Sequence, residues 1–177
     1  MRVRRCSLLL AAFALAGCGA HPAGSSQSQQ SLTPAQASAV DAGVRAFAQT
    51  VAHDVTQDGP LAWEKHFADS PAFFMAVNGQ LAFPNRAAAT AAMPDITRAF
   101  KHIELQWGDD LRVDPLTSTL ALVATSWHEV LTDPAGHSMD EKGYFTGVAE
   151  YREGRWQFRD AHWSAPVPPP PAPAPAH

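Results

Sequence analysis

Apolar and polar residues alternate along most of the chain between His102 and Ser164. A period of two is typical of a β-strand with one buried face. Turn sequences divide the region, among them Asp114-Pro115 and Asp133-Pro134-Ala135-Gly136. The pattern predicts four long antiparallel strands, the first with a bulge or bend at Gly108. They cover residues 102–113, 120–131, 139–151 and 155–164.

A tight turn is predicted between the last two of these strands, at Arg152-Glu153-Gly154, because glycine supplies the positive φ that such a turn needs. On the final strand Trp156 and Phe158 fall on one face. Continued alternation places Asp160 and His162 on that same apolar face. Buried polar groups need partners, so this change from apolar to polar marks a candidate site.

Helical spacing replaces alternation in the region before these strands. Thr33 is a predicted N-cap and Pro34 a predicted first helical residue, and the apolar positions that follow predict a helix to about His53. A short second helix is predicted at residues 61–67.

A hairpin and a third helix complete this region. The hairpin strands are predicted at residues 72–77 and 80–83, because Asn-Gly between two apolar runs is a strong hairpin signal. Asn85 is a predicted N-cap of an alanine-rich helix from about Arg86 to Ala92 or beyond, with Pro94 as an interruption. The order of elements predicts an α+β fold in which three helices gather on the concave face of one curved antiparallel sheet.

The two ends of the chain differ from this central domain, which is predicted at residues 33–164. Residues 1–17 have a basic start and a short apolar run, as signal peptides do. Residues 18–32 are rich in Ser and Gln and predict a disordered tether. Residues 165–177 are mostly Pro and Ala, which predicts an extended polyproline II tail.

The signal peptide ends in Leu15-Ala16-Gly17-Cys18, which resembles the lipobox of bacterial lipoproteins. The resemblance implies cleavage before Cys18 and lipid on this cysteine, which would anchor the protein to a membrane. Gly19 follows the cysteine where an aspartate would signal retention in the inner membrane. We therefore expect a location in the outer membrane, facing the periplasm.

Charge and residue counts narrow the functional classes. The formal net charge is −4, and no basic block exists beyond the first five residues, which disfavours nucleic-acid binding. The two cysteines, Cys6 and Cys18, leave no disulfide framework for the central domain. The eight histidines show neither four-residue helical spacing nor an H-E-x-x-H pattern, so we expect no metal site and no cofactor.

The closing hairpin carries a family resemblance. Its arms are Gly143-Tyr-Phe-Thr-Gly-Val148 and Arg155-Trp-Gln-Phe-Arg-Asp-Ala-His-Trp-Ser164. Together with the order of elements, they resemble the SnoaL-like branch of the nuclear transport factor 2-like superfamily. The resemblance implies a cone-shaped fold with a pocket between sheet and helices, and in many members a dimer formed through the sheet. The superfamily includes polyketide cyclases, ketosteroid isomerases, dehydratases and epoxide hydrolases, and also non-catalytic binding or assembly modules.

Asp160 and His162 are the candidate catalytic residues. A histidine oriented by a carboxylate can act as a general base near neutral pH. The favoured alternative is that both residues cap the strand end and bond to nearby backbone. A second cluster, Trp127-His128-Glu129, puts Trp127 and Glu129 on one face and His128 on the other, and the sequence leaves open which face looks inward.

Several aromatic residues are candidates for an apolar pocket, although a cone needs bulky residues as filling and core packing is the favoured role for most. The predicted ligand-binding residues are Trp107, Trp127, Phe145, Trp156 and Phe158. The wider candidate set adds Trp63, Phe73 and Phe83.

These residues favour a protein that binds a small, partly apolar molecule or a partner protein without catalysis. The alternative is an enzyme that performs acid–base chemistry on a small carbonyl or hydroxyl compound. Ketosteroid-isomerase chemistry is disfavoured, because the first hairpin lacks a carboxylate and the only tyrosines, Tyr144 and Tyr151, come late. A homodimer through the sheet is a further expectation, with Arg159 and Trp163 on its outer face.

Overall fold

Three helices and seven strands follow one another in the computed structural model, which describes residues 31–166. The helices are α1 Pro34–Asp58, α2 Trp63–His66 and α3 Arg86–Ala99. The strands are β1 Phe74–Val77, β2 Gln80–Phe83, β3 His102–Trp107, β4 Arg112–Thr117, β5 Leu120–Thr132, β6 Ser138–Arg152 and β7 Arg155–Ser164. The predicted signal peptide, Cys18, most of the predicted tether and residues 167–177 of the predicted tail lie outside the described residues.

All seven strands form one curved, unclosed sheet in the order β2-β1-β7-β6-β5-β3, with β4 next to β3 along the same edge of β5. Neighbouring strands are antiparallel except β1 and β7, which are parallel. The three helices pack on one face of the sheet. The α+β class and the placement of the helices are therefore confirmed.

Local signals explain where the first helix begins and ends. The Thr33 Oγ1 atom accepts a 3.2 Å hydrogen bond from the Gln36 N–H, and the Gln36 Oε1 atom accepts a 2.9 Å bond from the Thr33 N–H. This capping box satisfies backbone donors that the first turn leaves free. The helix continues to Asp58, one turn beyond the expected end, and stops where Gly59 adopts φ 76°. No helix within residues 31–166 is long and apolar enough to span a bilayer.

The predicted interruption of the third helix at Pro94 is wrong. The helix runs without a break from Arg86 to Ala99, with Pro94 inside it on an exposed side. Proline lacks the N–H that an interior residue normally donates, so the helix continues with one bond fewer. Asn85 is the N-cap as predicted, since its Oδ1 atom accepts a hydrogen bond from the Ala88 N–H at 2.8 Å.

The two predicted tight turns are confirmed by their backbone angles. Asn78 and Gly79 have φ of 49° and 79°, and Glu153 and Gly154 have φ of 54° and 81°. Two successive positive φ angles match the right-handed twist of the flanking strands.

The region of residues 102–117 differs from the expectation of one long strand followed by a turn. It forms two shorter strands, β3 and β4, separated by a loop after Trp107, and both pair with β5. The predicted turn at Asp114-Pro115 is wrong, because both residues lie inside β4. Pro115 is tolerated there because β4 pairs on one side only, and an edge strand can lack an N–H donor on its open side.

A bulge in the last strand corrects the expected orientation of the candidate catalytic residues. Val148 pairs with Asp160 and Ala149 pairs with Phe158, so Arg159 is an extra residue in the ladder. An extra residue reverses the alternation of side chains beyond it. Ala161 and Trp163 therefore lie on the buried concave face with Phe158. Asp160 and His162 lie on the outer face.

Candidate functional site

A cavity of about 270 Å³ lies between the sheet and the helices. Five aromatic residues border it, and they are Trp63, Phe67, Phe83, Phe100 and Trp163. Six aliphatic or methionine side chains add to this apolar surface, and they are Met75, Val77, Met93, Ile96, Ile103 and Leu131. Among the residues that the structure describes, Glu129 is the single charged one on the wall. Small-molecule sites in proteins are mostly apolar with a few polar groups, and this cavity has that composition.

Glu129 reaches the cavity because of its position in β5. Alternate residues of this strand face inward, so Trp127, Glu129 and Leu131 are all buried. Glu129 pairs with Leu105 of β3 on one side and with Glu141 of β6 on the other. Its side chain is 8% exposed. No lysine, arginine or histidine between residues 31 and 166 stabilises its charge, since the causes that shift its pKa are burial and Glu141.

Burial raises the pKa of Glu129 from 4.5 to about 7, and the negative charge of Glu141 adds to this effect. Desolvation disfavours the charged form of a carboxyl, and a second carboxylate does the same. Near neutral pH both protonation states of Glu129 are therefore populated. A carboxyl with such a pKa in an apolar cleft is a functional-site candidate on physical grounds.

The predicted pair Asp160 and His162 does not reach this cavity. His162 is exposed on the outer face of the sheet, next to Thr146 of β6 and Ala76 of β1. The Asp160 Oδ2 atom accepts a 3.0 Å hydrogen bond from the Arg159 Nε–H group. Asp160 is thus paired with its neighbour in sequence.

The five predicted ligand-binding aromatics do not border the cavity either. Trp107, Phe145 and Phe158 pack against one another with tilted rings, the ring centroids lying 5.3 Å apart between the first two and 5.0 Å apart between the last two. Trp127 stacks on Trp163 at 4.7 Å.

Trp156, the fifth of these aromatics, packs against α1. A Cβ atom at Gly43 would lie 2.7 Å from the Trp156 Nε1 atom. All five residues have packing contacts. Trp107 and Trp127 also border a second pocket, and Trp156 borders two pockets beside α1, so the ligand-binding prediction for these three residues stays a prediction. From the wider candidate set, Trp63 and Phe83 do border the cavity.

The structure shows which way the side chains of the second predicted cluster, Trp127-His128-Glu129, point. His128 points outward and its Nε2 atom lies 2.9 Å from the Asp140 Oδ2 atom at the surface. Trp127 and Glu129 point inward, but only Glu129 borders the cavity. The sequence signal for Glu129 was a carboxylate on the same strand face as Trp127, but alternation alone left open whether that face looks inward. The inward placement of Trp163 had no such signal, because it depends on the Arg159 bulge.

Within residues 31–166 the structure contains no group of three or more His, Cys, Asp or Glu side chains arranged to hold a metal ion.

No protein-family model matches the sequence, and no curated protein matches it. Solved structures do match. A nuclear transport factor 2-like superfamily protein from Salmonella enterica serovar Typhimurium superposes with a TM-score of 0.63 and 13% identity, over 74% of this chain and 94% of that one. The fold is that of the nuclear transport factor 2-like superfamily.

Two structures with enzyme names are also similar. A proposed scytalone dehydratase from Novosphingobium aromaticivorans matches with a TM-score of 0.62 and 11% identity, over 73% of this chain and 85% of that one. A hexachlorocyclohexane dehydrochlorinase matches with a TM-score of 0.61 and 11% identity, over 79% of this chain and 100% of that one. Identity this low shows a common nuclear transport factor 2-like fold alone, so the function must be argued from the residues of the site.

Proposed function

We propose that this protein binds a small, mostly apolar molecule in its cone cavity and that Glu129 is the group that orients this molecule. The observation that carries the proposal is the Glu129 carboxyl, which has no basic partner among residues 31–166 and lies on an otherwise apolar wall. A residue that only filled the core would be apolar, because burial of an unpaired carboxyl opposes folding. A role towards a ligand accounts for its presence.

Binding without catalysis is the first choice, because the wall offers few other reactive groups. Apart from Glu129, its polar side-chain atoms are the indole nitrogens of Trp63 and Trp163. Acid–base reactions of carbonyl compounds usually need donors that stabilise a developing oxyanion as well as a base. A single carboxyl is sufficient to orient a ligand.

An enzyme is the second candidate, and the pKa of Glu129 near 7 favours it. General bases are most effective when their pKa lies near the working pH. In this version Glu129, rather than the outward-facing Asp160 and His162, would exchange a proton with a small carbonyl or hydroxyl compound. Glu129→Gln would then abolish turnover of a substrate, whereas His162→Ala would leave turnover unchanged.

A fragment screen tests the binding proposal. The protein is the whole chain with Cys18→Ser, and a set of charged and neutral monocyclic compounds is followed by ligand-observed NMR. Val77→Phe adds volume to the cavity wall, whereas Leu81→Phe adds the same kind of ring on an exposed part of β2. Binding should be lost in the first variant and kept in the second. Equal binding in both variants, or a lack of binding by every compound, would contradict the proposal.

We also propose that the protein is held at the outer membrane by lipid on Cys18, facing the periplasm. The support is the order of basic residues, apolar run and Leu15-Ala16-Gly17-Cys18 in the sequence. Cells supplied with labelled palmitate should label the wild-type chain and not the Cys18→Ser variant. Equal labelling of the two chains, or none in either, would exclude this anchor.

A homodimer through the outer face of the sheet is the third part of the proposal. Leu122 of β5 and Tyr144 of β6 are apolar side chains on that face and are 38% and 44% exposed. Trp163 lies in the core, so it takes no part in this version of the interface.

A further inference from the structure

Two carboxylates lie directly opposite each other on neighbouring strands, and one of them, Glu129, borders the cavity. Glu129 of β5 and Glu141 of β6 form a cross-strand pair, so both side chains leave the sheet on the concave side. Glu129 is buried and Glu141 is exposed. Like charges in directly opposed positions destabilise a sheet. This pairing therefore calls for a source of positive charge.

The protein does not supply that charge from the described residues. None of the ion pairs within residues 31–166 involves Glu129 or Glu141. Lys142, the basic residue next to Glu141, pairs with His128 in the β5–β6 ladder and so lies on the outer face. Glu141 is the titratable group whose charge acts on Glu129.

The walls contributed by the other elements add no charge near Glu129. Apolar side chains face the cavity from β1, β3 and α3, among them Met75, Ile103 and Ile96. Arg86 lies with its guanidinium carbon 5.9 Å from the centroid of the Phe67 ring. Arg86 is already engaged, since its Nη2 atom donates a 2.6 Å hydrogen bond to the Glu64 carbonyl oxygen.

We propose that the ligand of this cavity is a small organic amine whose protonated nitrogen binds Glu129 and whose apolar body fills the aromatic part of the cavity. This inference rests on the proposed function and adds the chemical class of the ligand. An ammonium group is neutralised by Glu129 and attracted by the exposed Glu141 at the same side of the sheet. Aromatic rings such as those of Trp63 and Trp163 also favour a nearby cation through their faces.

Other ligand classes fit less well. An organic acid would meet two carboxylates and no base. A divalent metal ion needs more ligands than two carboxylates, and no third one is grouped with them in the described part of the chain. A neutral alcohol would leave Glu129 and Glu141 without a countercharge. The volume of about 270 Å³ is just below the usual range of small-molecule sites, roughly 300–1,000 Å³, so an amine with one ring is the expected size.

Three molecules of nearly equal size and different charge test this inference: 2-phenylethylamine, 2-phenylethanol and phenylacetate. Their binding to the whole chain with Cys18→Ser is measured by titration calorimetry at pH 8. The amine should bind about tenfold more tightly than the alcohol or better, since hydrogen bonds between charged partners are stronger than those of a neutral hydroxyl. Phenylacetate should bind more weakly than the alcohol.

Two variants separate the role of the charge from that of the cavity. Glu129→Gln keeps the shape and should lower the affinity for the amine to that for the alcohol, with little change for the alcohol itself. Glu141→Gln should cause a smaller loss for the amine. Circular dichroism of each variant verifies that it is folded.

The dependence on pH gives an independent readout. The amine stays protonated from pH 6 to 8 and prefers ionised Glu129, so its binding must displace a proton below the pKa of Glu129. Affinity for the amine should therefore rise from pH 6 to pH 8, with a limiting slope of about tenfold per pH unit below the pKa. The slope should vanish in Glu129→Gln and for the alcohol.

The possible failures are distinguishable. Equal affinity for amine and alcohol, or an amine affinity that Glu129→Gln leaves unchanged, overturns the amine inference while a ligand cavity still stands. Tighter binding of phenylacetate than of the amine overturns it too. If none of the three binds, the amine inference fails, and the comparison of Val77→Phe with Leu81→Phe in the fragment screen decides the proposed function separately.

Discussion

Burial of Glu129 links the stability of the protein to pH. Its pKa is 4.5 in ordinary surroundings and about 7 in the fold. The folded state therefore binds a proton more tightly than the unfolded state, and folding takes up a proton between these two pH values. Stability falls as the pH rises through this window. The loss of stability caused by ionising the buried Glu129 is absent below pH 4.5 and complete above pH 7, where it is on the order of 3 kcal/mol.

Glu129→Gln should remove this loss of stability. At pH 8 the variant should be more stable than wild type by roughly 1–3 kcal/mol, the lower figure allowing for the cost of a buried amide without a partner. Near pH 5 the two should have nearly equal stability. Urea unfolding between pH 5 and pH 8 measures the difference. Glu141→Gln is the control. It removes only the smaller of the two causes that raise the pKa of Glu129, so its gain in stability at pH 8 should be smaller than that of Glu129→Gln. A difference that does not change with pH would show that Glu129 has an ordinary pKa.

The sequence analysis named Glu129 within the cluster Trp127-His128-Glu129 but gave it neither an orientation nor a role in a site. Both faces of β5 carry apolar residues, such as Leu120, Leu122 and Val130 on one and Val123 and Leu131 on the other. Alternation by itself cannot say which face the helices cover. Glu129 was therefore recognised as one member of a cluster, and only the tertiary fold distinguishes it from its neighbour His128.

At the scale of elements, the bulge at Arg159 decides which end residues of β7 are buried. Gly147 of β6 lies beside the bulge and pairs with Ala161, the second residue after Arg159. A Cβ atom at Gly147 would lie 2.7 Å from the Asp160 carbonyl oxygen and 2.9 Å from the Phe145 Cζ atom. Such distances are too short for carbon, and one of the contacts is with backbone. Glycine here is a steric requirement of the bulge.

Gly147→Ala should therefore destabilise the protein by about 1–3 kcal/mol, the usual effect of excess volume in a packed region. Denaturant unfolding measures this change. Thr146→Ala, at the next position on the outer face of β6, is the matched control and should have a smaller effect. If Gly147→Ala were as stable as wild type, the strand pair would have to accommodate the new methyl group, and the bulge would not be fixed by this contact.

Elements that depend on a few residues close in sequence could be predicted. Features that depend on the pairing of distant strands could not. The cap at Thr33 and the hairpin at Asn78-Gly79 depend on a few neighbouring residues, and both are confirmed. The bulge at Arg159 and the position of Pro115 inside β4 depend on which strands lie alongside. A single extra residue in β7 was enough to move Asp160 and His162 from the expected face to the opposite one.

At the scale of the whole described domain, residues 31–166, the helices cover only the concave face of the sheet, and no helix of this range covers the outer face of β5, β6 and β7. This face carries Leu122 and Tyr144 beside a charged pair, Arg112 and Asp114, whose Nη2 and Oδ2 atoms lie 2.8 Å apart. A mixture of exposed apolar groups and a polar rim is typical of protein interfaces. His162 lies on the same face and would be near or within such an interface.

If this face forms the proposed dimer, Leu122→Glu and Tyr144→Glu should each shift the protein towards the monomer, because two copies of a buried, unpaired carboxylate would oppose each other across the symmetry axis. Sedimentation velocity over a range of concentrations measures the shift for the whole chain with Cys18→Ser. Leu61→Glu is the control, since Leu61 is 51% exposed and lies at the short turn before α2, away from the sheet. Its sedimentation should match that of the parent chain. A parent chain that stays monomeric at the highest concentration, or a control that dissociates as readily as the two sheet variants, would rule out a dimer through this face, and the exposed apolar residues would need another partner.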